Sequence, residues 1–281
     1  MTTAYVVLTY NRSDALLAVL RALAPQCTPR DKVLIADDGS RPEHLQALRQ
    51  GLPAFSCAVR HVWHPDVGFT AARARNLGAL HAQADYIVFL DGDCVPNRQF
   101  TQQHGALAQA GHFVNGSRVL LSERLSRRAL SGEIRLDMLQ RADWLRLRLS
   151  GDVNKLTHLL YWASAPGRVE TVFRWKGIRS CNLGVWYRDL EAVNGFDETF
   201  SGWGHEDADL VLRLHHHGCR RKNGYLATEV FHLWHPENSR AEEAGNRNRV
   251  LERMRGEQIR AEAGLAELAR GPAPTVTVLN D

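Results

Sequence analysis

Short apolar runs alternate with amphipathic stretches through the first third of the chain. Ala4–Thr9, Lys32–Ala36, Val59–Trp63 and Tyr86–Leu90 read as buried strands. Between them, Ala15–Ala24 places Leu16, Leu17, Leu20 and Leu23 on one helical face, after the polar cap candidates Asn11, Arg12, Ser13 and Asp14. A second helix starts near Pro42, whose ring suits a first turn, and Gly68–Ala82 is an alanine-rich third. This order predicts βαβ units on a parallel sheet. In such sheets the ligand crevice lies outside the carboxyl ends of the strands, and here polar clusters close three strands: TYNR, DDGS and DGD.

The remainder is less regular. Arg118–Ser150 is rich in arginine and leucine, which predicts a basic helical insertion over 118–170, either solvated and packed on the core or touching anionic lipid or a lipid-linked acceptor. Ile178–Trp186 and Tyr225–Trp234 read as strands, His205–His217 as a helix stopped by Gly218, and Ala241–Arg270 as a charged terminal helix. The tail 271–281, opening on Gly271 and Pro272, is expected to fray.

Composition narrows the class without choosing within it. With 281 residues, 44% hydrophobic and 23% charged, the chain can bury a large core, which excludes wholesale disorder. A net charge of +4 is too small to imply nucleic acid, and no run of apolar residues is long enough for a membrane span, so a cytoplasmic protein is expected. The five cysteines are widely spaced with no CxxC, as in a chain of reduced thiols. No GxGxxG, Walker loop, HExxH or GxSxG is present, which argues against dinucleotide oxidoreductases, P-loop enzymes, zincins and α/β-hydrolases.

Three clusters carry candidate chemistry. Asp91-Gly92-Asp93 presents two carboxylates that repel unless a cation or donors neutralise them; a divalent ion bridging phosphates would do so, and a surface turn is the alternative. Gly202-Trp203-Gly204-His205-Glu206-Asp207 joins a bend and an aromatic platform to two acids in a helix first turn. Acids there also suit the helix dipole, but facing an indole they could accept a proton from a bound sugar hydroxyl. Val230–Pro236 ends a strand with His232 and His235, ligands that suit manganese or magnesium in company with a carboxylate. Asp37-Asp38-Gly39-Ser40 fits either a turn or an acceptor for base or ribose, and His215–His217 fit capping.

Taken in order, VVLTYNR, VLIADDGS, GFTAARARNLG, YIVFLDGD, CNLGVWYRDLEAVNGFDETFSGWGHEDADLVLRL and VFHLWHP resemble the GT-A-fold glycosyltransferases of family 2, over nearly all of Ala4–Pro236. The second half resembles the acceptor half of β-1,4-galactosyltransferases and chondroitin-polymerase-type enzymes. The resemblance implies an α/β, Rossmann-like, mostly parallel sheet in a single domain 1–270: a nucleotide-sugar half (1–117), the insertion (118–170), an acceptor half (171–238) and a C-terminal helix (239–270). It implies that Thr9 and Asp38 contact the base with Asn11 and Arg12 nearby, that Arg75 approaches the diphosphate or holds a loop, and that Asp91 with Gly92 meets ribose or donor sugar. Asp93 would bind Mn2+ or Mg2+ with His232 as second ligand, Trp203 and Gly204 would line the acceptor, Glu206 would hold an acceptor hydroxyl, and Asp207 would be the general base. The implied reaction is inverting transfer from a nucleotide sugar, UDP favoured, to a glycan or lipid-linked acceptor in bacterial surface polysaccharide synthesis. The alternative is a nucleotide-sugar-binding protein without transferase activity. His205 departs from the commoner GWGGED pattern, which puts the local backbone in question.

Overall fold

The computed structural model describes residues 1–175, 177–236, 240 and 242–280. The chain runs β1 (Thr3–Thr9), α1 (Ser13–Leu23), β2 (Lys32–Asp37), α2 (Pro42–Gly51), β3 (Ala58–Trp63), α3 (Ala71–Leu80) and β4 (Tyr86–Asp91). It continues through β5 (Cys94–Pro96), α4 (Phe100–Leu107), β6 (His112–Asn115), β7 (Ser117–Leu120), α5 (Glu123–Leu130), α6 (Arg141–Leu149), β8 (Val169–Glu170), β9 (Asn182–Trp186) and α7 (Tyr187–Ala192). It closes with α8 (Glu206–His216), β10 (Arg220–Asn223), β11 (Glu229–His232), α9 (Glu243–Arg253), α10 (Leu265–Leu268) and β12 (Thr275–Val278).

The main sheet has the order β12-β3-β2-β1-β4-β9-β6-β10-β8, and a small sheet has the order β5-β11-β7. Strands β3, β2, β1 and β4 are parallel, as expected; β9 runs antiparallel between β4 and β6. The central strands β1, β2 and β4 are apolar on both faces along most of their length because both faces are covered. Tyr5, Val7, Val33, Ile35, Val88 and Leu90 pack with Leu16 and Leu20 of α1. Their alternates Ala4, Val6, Leu34, Ala36, Ile87 and Phe89 pack with Leu77 of α3 and Leu210 and Leu214 of α8. Full burial of one such large side chain stabilises the fold by about 1.5–3 kcal/mol.

The segment 118–150 packs on the core through Leu125, Leu136 and Trp144. Trp144 of α6 stacks on Phe231 of β11 at 4.5 Å and 14°, while the Arg127 and Arg146 side chains are 77% and 80% exposed.

Several expected boundaries are corrected. The α3 helix begins at Ala71 rather than Gly68, because Asp66 and Asp38 hold the N–H groups of Gly68 and Thr70 in a loop. The run 178–186 is extended only from Asn182, since Ser180 turns to donate its N–H to Asp207. The run 225–234 pairs only from Glu229: Leu226 has φ +55°, and the Glu229 carboxylate accepts the N–H groups of Leu226 and Ala227.

The C-terminal region differs most. Ala241, the expected start of the last helix, lies outside the described residues, and α9 ends at Arg253 instead of running to Arg270. Arg253 is buried there against Asp209 at 2.5 Å, Asp197 at 2.8 Å and Glu262 at 2.7 Å. Beyond it, Ala261 bonds to Val193, and Glu198 to Ala263, so this stretch lines the β9–α8 connection as extended chain. The tail does not fray: Thr275–Val278 pairs antiparallel with β3, and Asn280 bonds to the backbone of Cys57 and Val59. Alternating β-branched residues suit such an edge strand.

Candidate active site

The crevice forms where the chain leaves the carboxyl ends of β1, β2 and β4. At the first two, Asp38 donates its N–H to the Thr9 carbonyl at 3.0 Å, and its carboxylate accepts the N–H and hydroxyl of Thr70 at 3.0 and 2.5 Å. His64 Nε2 lies 3.2 Å from the same carboxylate. Asp38 thus straps β2 to the loop before α3. Asn11, at φ +50°, donates its N–H to the Ser40 hydroxyl oxygen and accepts the Arg41 N–H on Oδ1, which ties the β1–α1 loop to the β2–α2 loop. Arg12 turns outward to Asp14 at 3.3 Å and leaves α1 without a side-chain cap, so the polar residues before it serve loop geometry rather than capping.

The end of β4 is held close against β1. Gly92 donates its N–H to the Leu8 carbonyl at 2.7 Å, and an added Cβ would stand 2.7 Å from that oxygen, so only glycine fits. This approach sends Asp91 and Asp93 to different partners. Asp91 accepts Arg75 Nη2 at 2.8 Å, and the buried Arg75 reaches Glu206 with Nη1 at 3.4 Å. Neighbouring Asn76 fixes α3 by exchanging two hydrogen bonds with the Phe196 backbone, at 2.8 and 2.9 Å. Arg75 therefore joins acids from two distant parts of the chain: Asp91, and Glu206 with, through its field, Asp207.

The start of α8 explains the departure at His205. Gly202, Gly204 and His205 all lie at positive φ, +68°, +110° and +70°. A non-glycine residue pays about 1–2 kcal/mol for that conformation; His205 offsets it by stacking on Trp175 at 5.4 Å and 27°. The bend delivers Glu206 and Asp207 into the crevice. Burial, then the charge of Asp207, pushes the Glu206 carboxyl up to about 7 despite Arg75. Burial also raises Asp207, against the Ala208 and Ser180 N–H groups and the cations Arg75 and Arg179. Trp203 is half-buried, with the Arg240 guanidinium 5.2 Å from its ring.

Asp93 faces the other way. Cys94 pairs with His232 across β5 and β11, which brings Asp93, Cys94 and His232 together as a group able to hold a metal ion. His232 Nε2 is 3.9 Å and His235 Nε2 3.2 Å from the Asp93 carboxylate. Burial lowers the pKa of His232, which leaves a neutral imidazole ready to ligate. Burial and the neighbouring Cys181 raise the Cys94 thiol well above its usual range, so it remains protonated and a weak ligand. Asp93 and His232 thus fit a hard or borderline divalent ion.

The structure brings Asp91, Arg75, Glu206 and Asp207 together, and separately Asp93 with His232. Thr9, Asn11 and Asp38 line the adjoining strand ends. Arg179 and Ser180, which act on Asp207, and Cys181, whose carbonyl accepts the Asp91 N–H at 3.2 Å, were absent from the expected site. They sit in RSCN, which reads as the start of a strand; the signal was the placement of an arginine and a serine before an apolar run.

Comparison with known proteins bears on the family and the fold. The profile of Glycosyl transferase family 2 matches residues 5–157, and that of the N-terminal domain of galactosyltransferase matches residues 167–236. The chain is 26% identical over 236 residues to chondroitin synthase of Escherichia coli, covering 76% of this chain and 32% of that protein. It is 29% identical over 227 residues to validoxylamine A glucosyltransferase of Streptomyces hygroscopicus subsp. limoneus, covering 76% of this chain and 48% of that protein. The chain therefore spans between a third and a half of the length of these relatives. Among solved structures, S. aureus TarS 1–349 in complex with UDP-GlcNAc superposes with a TM-score of 0.60 at 14% identity, over 95% of this chain and 69% of that one. The mannosyltransferase PcManGT from Pyrobaculum calidifontis, in complex with GDP-Man and Mn2+, gives 0.55 at 16% identity, over 97% and 65%. These two likenesses concern the fold: a GT-A-like sheet with flanking helices. With the family 2 match covering more than half of its length, and its strand-end acids arranged in one crevice, the chain belongs to glycosyl transferase family 2.

Proposed function

We propose that the chain transfers a sugar, with inversion, from a nucleotide sugar to a hydroxyl of a glycan or lipid-linked acceptor. The observation that carries this reading is the convergence of Asp91, Glu206 and Asp207 on buried Arg75, beside the Asp93–His232 pair. In this reading Thr9, Asn11, Arg12 and Asp38 border the base, with a UDP donor favoured, and Arg75, Asp91 and Gly92 hold the diphosphate and sugar end. Trp203, Gly204 and Glu206 receive the acceptor. Asp207 takes the proton as the acceptor hydroxyl attacks the anomeric carbon from the face opposite the leaving nucleoside diphosphate. Alignment of two sugars supplies much of the rate. Asp93 and His232 would hold Mn2+ or Mg2+, which when bound offsets the charge of the departing diphosphate. UDP-GlcNAc and GDP-Man with Mn2+, bound by the two structural neighbours, support a nucleotide-sugar donor and a divalent ion.

A role in bacterial surface polysaccharide synthesis is consistent with the chondroitin synthase relative. Among the described residues no helix is long and apolar enough to cross a membrane. We place the protein in the cytoplasm, with peripheral contact through the insertion, where exposed Arg146 and Leu149 share α6.

The acid pair supplies the test. Two acids this close are expected to lose their protons in two steps, and burial with the charge of Asp207 holds the Glu206 carboxyl up at about 7. Ionising Glu206 makes Asp207 the stronger base, so kcat/KM is expected to rise with pH through about 7. Glu206→Gln should remove that rise and leave only the lower step. A rise near pH 7 that survives E206Q would assign it to another group and count against the pair.

A further inference from the structure

Beyond the acid pair lies a cleft of about 330 Å³ whose walls come from the ends of β6 and β7, the loop 177–181 and the β10–β11 turn. Arg118, Lys155, Arg179 and Arg221 all line it. Arg221 is committed, 3.8 Å from Glu170 and bonded to the Arg174 carbonyl. Among the described residues the other three have no carboxylate within ion-pair distance, although Arg179 acts on Asp207 and Glu229 on Lys155 from farther off. Among the described residues Arg118 and Arg179 form no ion pair, and Lys155 Nζ is held by a hydroxyl, Ser117 Oγ at 2.5 Å. Burial, together with the charge of Arg118, lowers the Lys155 pKa, while Glu229, the carboxylate that favours its charge, is tied to the N–H groups of Leu226 and Ala227. Like charges gathered in a partly closed cleft are unfavourable until an anion enters.

The cleft is a built one. Asn115 accepts the Arg179 N–H at 3.2 Å and donates to the Gly177 carbonyl at 3.2 Å, which fixes the loop that carries Arg179. The next residue, Ser180, bonds to Asp207. Sheet order then sets the direction. Asp38 follows β2, Asp91 ends β4, Ser180 precedes β9, and the cleft opens at β6, so the sequence across the sheet is base end, sugar end, general base, cleft. Four strand spacings separate β2 from β6, roughly 19 Å at about 4.8 Å each. The β6 edge of the cleft therefore lies beyond the reacting centre from the nucleoside, and Arg118 and Lys155 stand on its β7 side, in the small sheet that also carries His232.

We propose that this cleft is an acceptor subsite for an anionic group, a carboxylate or a phosphate carried by the acceptor glycan beside the hydroxyl that is glycosylated. Arg118 and Lys155 grip the anion, and Arg179 lies between it and Asp207. The proposal rests on the transferase reading for its direction, but the anion site stands on its own residues.

The test is direct binding to the full chain with UDP and Mn2+ present, using D-glucuronate, its uncharged methyl ester and glycerol 3-phosphate as probes in ligand-observed NMR. The acid or the phosphate should bind and the ester should not; whichever anion binds more tightly identifies a carboxylate or a phosphate acceptor. Arg118→Gln and Lys155→Gln should each weaken anion binding by about tenfold or more, leaving UDP binding and the thermal midpoint unchanged. Equal binding of acid and ester, or anion binding untouched in both variants, would overturn the proposal. So would loss of UDP in place of the anion, which would give these cations to the donor. Absence of UDP binding in a protein that still selects anions through Arg118 and Lys155 would overturn the transferase reading and leave the anion site intact.

Discussion

Asp207→Asn is expected to abolish transfer, by roughly 10²–10⁴-fold in kcat as for loss of a general base, while UDP binds as before. The substitution keeps the size of the side chain and one of the two oxygens that accept the Ala208 N–H at 2.7 Å and the Ser180 N–H at 3.3 Å, so one of these backbone bonds is retained. It also removes one of two like charges from a buried pair, which relieves Glu206 rather than unfolding the helix start. The loss of rate therefore falls mainly on proton transfer, beside one backbone hydrogen bond at the helix start. Steady-state rates with a UDP-sugar and calorimetric UDP titration separate the two effects. A D207N protein that loses UDP affinity in step with activity would make Asp207 a donor ligand, and one that stays active would remove it from the chemistry.

Arg75 carries the largest expected effect on stability. It is buried between Asp91 and Glu206, with its guanidinium 5.5 Å from the Phe196 ring. Arg75→Met keeps the apolar stem but strands two carboxylates without their cation, which typically costs about 3–5 kcal/mol. Arg75→Lys should recover only part of this, because one ammonium cannot present the two separate N–H directions that reach Asp91 and Glu206. The pH dependence follows from linkage. The folded pKa of Glu206, about 7, lies above its usual 4.5, so protonation favours the fold. The contribution of this group is present below about 4.5 and lost as pH rises through about 7. Without Arg75 that loss should deepen, so urea midpoints of R75M and wild type should converge in acid and separate toward neutral pH. A difference below about 1 kcal/mol at neutral pH, the usual worth of an exposed pair, would mean that water reaches these acids freely.

Much of the strand-end cluster proposed as the donor side was legible in the sequence because its signals are local. Four apolar runs gave four strands, and the ends of the first, second and fourth carry Thr9, Asp38 and Asp91–Asp93, where a parallel sheet puts its ligands. Glu206, Asp207 and His232 were also marked by their neighbours in sequence. What failed depended on distance along the chain. The strands β5, β6, β7, β8 and β10 have two to four residues, too few to show a period, and they exist only through pairing with segments far away. Arg75 is named through the family resemblance, but its burial between β4 and α8 is a tertiary fact that no local signal carries. The terminal helix looked longer than it is because charged residues with scattered leucines continue past Arg253, whereas Arg253 is pinned by Asp197, Asp209 and Glu262 and the chain beyond it is drawn along the β9–α8 connection. Cys94, without a role in the sequence, is a buried β5 residue that sets Asp93 beside His232.

The most direct test of a metal-assisted nucleotide-sugar site is the thermal midpoint of the protein with UDP, GDP, dTDP, CMP or NAD, each with and without manganese. Ligand at 100 times its Kd adds about 2.7 kcal/mol by mass action, a shift of several degrees. UDP should stabilise the wild-type protein only when manganese is present, and Asp93→Asn should lose that shift while keeping its midpoint without ligand. No shift with any nucleotide, or the same shift with NAD and without metal, would contradict a donor site built on Asp38, Asp91 and Asp93.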